Sequence, residues 1–200
     1  HDTDRFMSLI ENDPKRARVG AAFNILLKGE PLLYYGQEIG MRGRTREDFL
    51  TDSAHIPLRE AFRWTSDEEA PGSAIWYKAD AGWWHERYND SGDGVSVEEQ
   101  DQDPASLLNW YRALLDLRAT RSEFRTGQQR VLCENAGGLV CIERANSEGR
   151  SLLIANLGET SATVPAGLLQ TGWADLLGAS AIEENLVLAP LEIRAVGSRR

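Results

Sequence analysis

Gly29-Glu30-Pro31-Leu32-Leu33-Tyr34-Tyr35-Gly36-Gln37-Glu38 holds the first clue to the fold. Pro31 to Tyr35 is apolar without alternation, short, and closed by Gly36. A strand buried on both faces reads this way, as in a parallel sheet covered by helices. Upstream, Asp13-Pro14 sets a capping carboxylate before a proline at a first helical position. The following residues put Val19, Ala22, Phe23, Leu26 and Leu27 on one stripe, and Gly29 ends it. Downstream, Asp103-Pro104 repeats the device before a helix with Leu107, Leu108, Tyr111, Leu114 and Leu115 on its apolar face.

Between strand and second helix runs a long excursion, roughly 42–103, rich in Gly, Asp and Glu and holding Trp64, Trp76, Trp83 and Trp84. Loops of this length in a compact unit are usually functional or partly structured. One parallel strand makes no sheet, so the first 125 or so residues read as the closing segment of a larger α/β body. A chain of this kind is expected not to fold alone, leaving the apolar faces of Leu26, Leu33 and Leu115 uncovered.

After Arg125 the texture changes. The runs QQRVLCE, GLVCIERA, RSLLIAN, SATVP, GWADLL, NLVLA and LEIRAV alternate with turn residues. Ala136-Gly137-Gly138 and Ser147-Glu148-Gly149 have hairpin-turn chemistry. Seven short strands suggest a small antiparallel β-sandwich. The boundary falls near 121–128.

The bulk properties narrow the function. The 200 residues are 42% hydrophobic and 26% charged, a globular composition. The net charge is −9 with no basic face, which argues against a nucleic-acid partner. The longest apolar run is far below the ~20 residues of a membrane span. Six Trp suit either a core or sugar stacking. Cys133 and Cys141 are neither a disulfide framework nor a zinc pattern. Pairing about Gly137 places them opposite one another, which permits a cross-strand disulfide, but two buried thiols are the preferred reading. The loop Asn89-Asp90-Ser91-Gly92-Asp93-Gly94 places oxygen donors at the first, third and fifth positions of a calcium loop, yet the twelfth is Gln100 where a Glu is needed.

His1-Asp2 at the start, the 29–38 stretch, the DP-x-SLLN-x-YR-x-L-x-x-LR helix and the β-rich end together resemble the C-terminal part of the α-amylase family, glycoside hydrolase family 13. The eighth-strand pattern G-x-P-x-x-Y-x-G-x-E is matched by Gly29, Pro31, Tyr34, Gly36 and Glu38. The resemblance implies an α/β fold: the C-terminal part of a (β/α)8 TIM barrel in residues 1–124, followed by an antiparallel β-sandwich, domain C, in residues 125–200. The first part would hold the end of strand 7, helix 7, strand 8, a long loop and helix 8.

It also implies a retaining glycosidase acting on α-1,4-glucans. Such enzymes need a nucleophilic carboxylate and an acid/base carboxylate. In the family these follow the fourth and fifth strands, so neither is expected here and the N-terminal remainder of the enzyme is a required partner. What remains is Asp2, the carboxylate that stabilises the transition state at the −1 sugar, with His1 binding hydroxyls of the same sugar. An arginine from the eighth loop is a further substrate contact in some relatives; among Arg42, Arg44 and Arg46, Arg42 is the candidate. Asp4 and Arg5 read as a rim ion pair, and Glu38 as a structural member of the strand pattern. The implied ligand is an α-glucan or malto-oligosaccharide. No metal or cofactor is expected on this chain, and calcium, where the family carries it, is held by the preceding part of the barrel. The implied location leans to secreted or periplasmic over cytoplasmic. An α-glucosidase, or a glucan transglycosylase or isomerase, would use the same residues. From other classes, the rivals are a non-catalytic amylase-fold subunit, which loss of His1 and Asp2 would favour, and a carbohydrate-binding module, which the barrel-like first half disfavours.

Overall fold

The computed structural model describes residues 1–47, 52–74, 87–133, 137–178, 182–183 and 185–198. Trp76, Trp83, Trp84 and Ala136 lie outside the described residues. Two compact units are present: residues 1–17 with 32–111, and residues 18–31 with 112–200.

The helices are α1 Phe6–Leu9, α2 Pro14–Leu26, α3 Val97–Gln100, α4 Leu107–Thr120 and α5 Ser122–Thr126. Two short 3-10 helices cover Gln37–Ile39 and Asp52–Arg59. The cap expected for α2 is formed: Asp13 Oδ1 accepts from the Lys15 and Arg16 amides at 2.8 and 3.2 Å. The cap expected for α4 is displaced. Asp103 Oδ1 takes the Ala105 amide at 2.8 Å and closes a turn, and Ser106 Oγ takes the Asn109 amide at 3.2 Å and caps the helix. The apolar face of α4 is Leu108, Tyr111, Leu114 and Leu117; Leu115, assigned to that face but expected to be left uncovered, is 42% exposed.

The expected strand at 31–35 is not formed. Every strand pair among the described residues is antiparallel and lies in the second unit. A parallel strand is paired with strands on both sides, and among the described residues no strand pairs with residues 31–35. Leu32 is accordingly 85% exposed, and Leu33 is exposed as well. Leu26, by contrast, is fully buried, against expectation.

In the first unit, order comes from turns and buried polar groups. Gly36 has φ +82°, and a Cβ there would meet Met41 Sδ at 2.2 Å. Its carbonyl accepts from the Met41 amide at 2.8 Å, so the turn folds Met41 inward. Ile39, Met41 and Leu108 then form a small core, with Phe62, Val95 and Val97 against it.

The second unit contains β1 Gln128–Val131, β2 Leu139–Ala145, β3 Arg150–Asn156, β4 Ala162–Thr163, β5 Trp173–Asp175, β6 Val187–Leu188 and β7 Ile193–Ser198. Each lies within one of the seven expected runs or extends it by two residues. Five form one antiparallel sheet in the order β1-β2-β3-β7-β5, and β4 pairs with β6 in a separate ladder. Leu139, Cys141, Leu152, Ile154 and Val196 pack on one face with Val164, Trp173 and Leu188. Each such burial is worth about 1.5–3 kcal/mol for a large aliphatic side chain. On the other face Arg144 donates to the Leu26 carbonyl at 2.6 Å and Ser151 Oγ to Glu123 at 2.8 Å. Arg118 donates to the carbonyls of Ile25 (2.7 Å) and Gly29 (2.6 Å), at and just past the end of α2, and to that of Phe124 in α5 (2.9 Å). Cys133 and Cys141 are joined in a disulfide, correcting the expectation of two thiols.

Candidate functional site

Arg5 organises the first unit. It is buried; Nε donates to the Leu58 carbonyl at 2.9 Å and Nη1 to the Tyr35 carbonyl at 2.7 Å. Its guanidinium lies 4.6 Å from the Tyr34 ring centroid and 4.9 Å from that of Tyr35. Burial lowers its pKa, against the pull of the two tyrosines and Glu60. The expected rim pair with Asp4 is absent: Asp4 faces Arg44 at 3.5 Å and accepts from the Thr45 amide at 2.7 Å. One arginine thus ties the segment after Asp2 to the tyrosines and to the end of the 52–59 helix.

That tie brings three distant pieces of chain together. Asp2 Oδ1 accepts from Arg59 Nη2 at 2.7 Å, and the His1 carbonyl from Arg59 Nε at 3.4 Å. His1 Nε2 stands 3.1 Å from Asp2 Oδ2. His55 Nδ1 lies 3.8 Å from Asp2 Oδ1 and 3.7 Å from Asp52 Oδ1, without a hydrogen bond to either. The Asp2 side chain is 55% exposed. Beside it opens a cleft of about 570 Å³ lined by His1, Asp2, Tyr34, Tyr35, Asp52 and Arg59. Tyr35 donates its hydroxyl to the Glu60 carbonyl at 2.8 Å, and burial pushes its pKa up to about 12. It is therefore a neutral wall, not a base at neutral pH.

Such a cleft suits a polyhydroxylated ligand. The carboxylate accepts hydroxyl protons, the imidazole and guanidinium donate or relay, and the aromatic faces cover CH surfaces.

Arg42 is not among the residues lining this cleft. Its guanidinium pairs with Asp93, and its backbone N–H and C=O are held by the Asn89 side chain at 2.8 and 3.0 Å. The same bonds commit the calcium-like loop to its own fold. Asn89 also donates to Glu60 at 2.7 Å, and Gln100 donates to the carbonyls of Ile39 and Gly94 at 2.9 and 2.7 Å. Among the described residues no group of three His, Cys, Asp or Glu side chains could hold a metal ion. Nor is any helix among them long and apolar enough to cross a membrane. Glu38 follows Gly36 on the short 3-10 helix and leaves Oε2 buried without a partner. Trp64 is 63% exposed, its ring edge-on to Phe62 at 4.6 Å.

Sequence reasoning missed Arg59 and His55. Their signal is a His and an Arg four apart in the long loop, and no local pattern ties them to Asp2.

A family model described as the catalytic domain of alpha amylase matches residues 1–127. Alpha-amylase 3 of Dictyoglomus thermophilum is 27% identical over 157 residues, covering 78% of this chain and 26% of that protein. The trehalose synthase/amylase TreS of Mycolicibacterium smegmatis is 33% identical over 132 residues, covering 64% and 21%. The oligo-1,6-glucosidase of Heyndrickxia coagulans is 26% identical over 217 aligned positions, covering 89% and 36%. Among solved structures, the α-amylase of H. orenii superposes over 100% of this chain and 38% of its own, with a TM-score of 0.73 and 27% identity. The chain thus spans between about a fifth and two fifths of the length of these relatives.

Proposed function

The chain belongs to the α-amylase family, glycoside hydrolase family 13, and on that premise we propose that it forms the C-terminal part of a retaining enzyme acting on α-1,4-glucans. On this reading residues 1–124 close a (β/α)8 barrel and residues 125–200 form the β-sandwich called domain C. Asp2 binds hydroxyls of the sugar beside the scissile bond, and His1 donates to the same sugar. The observation that carries the proposal is the half-exposed Asp2 carboxylate, hydrogen-bonded to Arg59 and open to a tyrosine-walled cleft.

The chemistry follows from charge. A retaining glycosidase passes through an oxocarbenium-like transition state. A fixed carboxylate beside the distorted sugar ring stabilises that cation more than the neutral ground state. The nucleophile and the acid/base, set about 5–5.5 Å apart in retaining enzymes, come from the preceding part of the barrel. Leu32, Leu33 and Tyr35 are the exposed apolar residues that such a part would cover. The substrate is an α-glucan or malto-oligosaccharide. The Cys133–Cys141 disulfide supports a secreted or periplasmic enzyme, because disulfides persist in oxidising compartments. A second reading, rearrangement of a disaccharide by internal glycosyl transfer, is favoured by the 33% identity to a trehalose synthase/amylase.

The test is Asp2→Asn in the polypeptide that carries the whole barrel, assayed on malto-oligosaccharides. The shape stays and the charge goes. The expected fall in kcat is at least about 10³-fold, roughly 4 kcal/mol, with KM changed far less. Asp4→Asn, held by Arg44 and a backbone amide, should cost less than about tenfold. Near-wild-type turnover of a folded Asp2→Asn enzyme would overturn the assignment.

A further inference from the structure

The 52–59 helix offers two side chains to one carboxylate. Arg59, its last residue, grips two consecutive residues of the opening segment: Nη2 takes Asp2 Oδ1 at 2.7 Å, and Nε faces the His1 carbonyl at 3.4 Å. A two-point hold by a planar group fixes direction as well as distance. Asp52 competes weakly. Its carboxylate is 3.9 Å from the same Nη2, and its side chain is almost wholly in solvent. The hold engages Oδ1 and leaves Oδ2 beside His1 Nε2 on the cleft.

A lone carboxylate on an open cleft rotates freely. A carboxylate that must meet a developing cation has to be ionised and aimed before substrate arrives. Resting on the reading of Asp2 as the sugar-binding carboxylate, we propose that Arg59 is a positioning residue: it acts through Asp2, orienting its carboxylate towards the cleft. The pair is half exposed and so contributes little to folding. Its replacement therefore separates function from stability. The groups facing Asp2 are His1, His55 and Arg59, with Asp52 behind the last two and Tyr34 and Tyr35 along the wall.

The experiment uses the full-length enzyme and an aryl α-glucoside, whose good leaving group keeps crippled variants measurable. Arg59→Gln should lower kcat by about 10- to 100-fold with KM within about threefold, because the interaction lost matters most in the transition state. The thermal melt should stay close to wild type. Arg59→Lys keeps the charge without the fork, so it should restore only part of the rate. In an Asp2→Asn background, Arg59→Gln should cost less than about twofold more, since residues acting as a unit are not additive.

Wild-type kcat in Arg59→Gln would overturn the proposal. So would a full additional loss in the Asp2→Asn background, which would make Arg59 a substrate contact in its own right. An Arg59→Gln melt far below wild type, with the Arg59→Lys melt also displaced, would make the role structural and overturn it too. If Asp2→Asn alone is near wild type, the reading of Asp2 fails and takes this proposal with it. If Asp2→Asn is inactive while Arg59→Gln is normal, the positioning role fails alone.

Discussion

Cys133 and Cys141 are joined eight residues apart, Cα to Cα 5.0 Å, across the mouth of the β1–β2 hairpin. Both are buried, in the cluster that includes Leu139, Leu152 and Ile154. The bond thus fixes the end of the sheet where β1 has its last ladder pair, Val131 with Ile142. Closing a loop of about nine residues removes enough unfolded-chain entropy to stabilise by about 2–3 kcal/mol. Reduction, or a Cys133→Ala, Cys141→Ala double variant, should lower the melting temperature of the second unit by several degrees. Thiol titration of denatured, unreduced protein should find none free. Two free thiols would remove the disulfide and, with it, the support it lends to an oxidising compartment.

The second unit was legible because its strands are written locally. Runs such as RSLLIAN carry β-branched or large apolar residues between turn signals, and Asn146 closes the β2–β3 turn with bonds to the Glu148 and Gly149 amides at 2.9 and 3.0 Å. The first unit is less legible because its order is not local. Pro31 to Tyr35 has the composition of a buried strand, but composition supplies no partner for its backbone. In DPAS both Asp103 and Ser106 are capping residues, and the sequence alone does not choose between them. Leu117 displaces Leu115 on α4 because buried positions recur three apart from Leu108 to Leu117. His1 and Asp2 were legible as a pair. Arg59 was not, because 57 residues separate it from Asp2 and the fold alone brings them within reach.

Glu60 gives the first unit a pH dependence of unusual sign. It is buried; Oε1 accepts from the Tyr88 amide at 2.8 Å and Oε2 from Asn89 Nδ2 at 2.7 Å. Desolvation nonetheless raises its pKa above the ordinary carboxylate value, outweighing those bonds and the nearby Arg5 and Arg87. A raised carboxyl means that the folded state holds its proton longer than the unfolded state does. Its contribution is full below the unfolded value, about pH 4, and is lost as pH rises through the higher folded value. Glu60→Gln does not titrate, and it sets an amide N–H₂ against that of Asn89, costing about 1–3 kcal/mol. The difference in melting temperature between wild type and Glu60→Gln should therefore narrow from pH 4 towards neutrality. A gap that widens with pH would reverse the sign of the shift.

Gly36 tests the turn that sets Tyr34 and Tyr35 against the cleft. Its φ of +82° is unfavourable for any residue with a Cβ, and a Cβ would fall 2.2 Å from Met41 Sδ and 3.0 Å from Met41 Cβ. Met41 is fully buried beside Ile39 and Leu108, so its side chain has little room to retreat. Gly29 is the control: its φ is +130°, but a Cβ there meets nothing within 4 Å. Gly29→Ala should cost only backbone strain, about 1–2 kcal/mol. Gly36→Ala should add an overpacking cost of about 1–3 kcal/mol. Shortening Met41 to Ala opens the space that the new methyl needs. Gly36→Ala should therefore destabilise less in a Met41→Ala background than in the wild type, a non-additivity expected of residues in contact. Equal losses for Gly29→Ala and Gly36→Ala, additive with Met41→Ala, would show that the turn tolerates the methyl and that the Gly36–Met41 approach does not hold it in place.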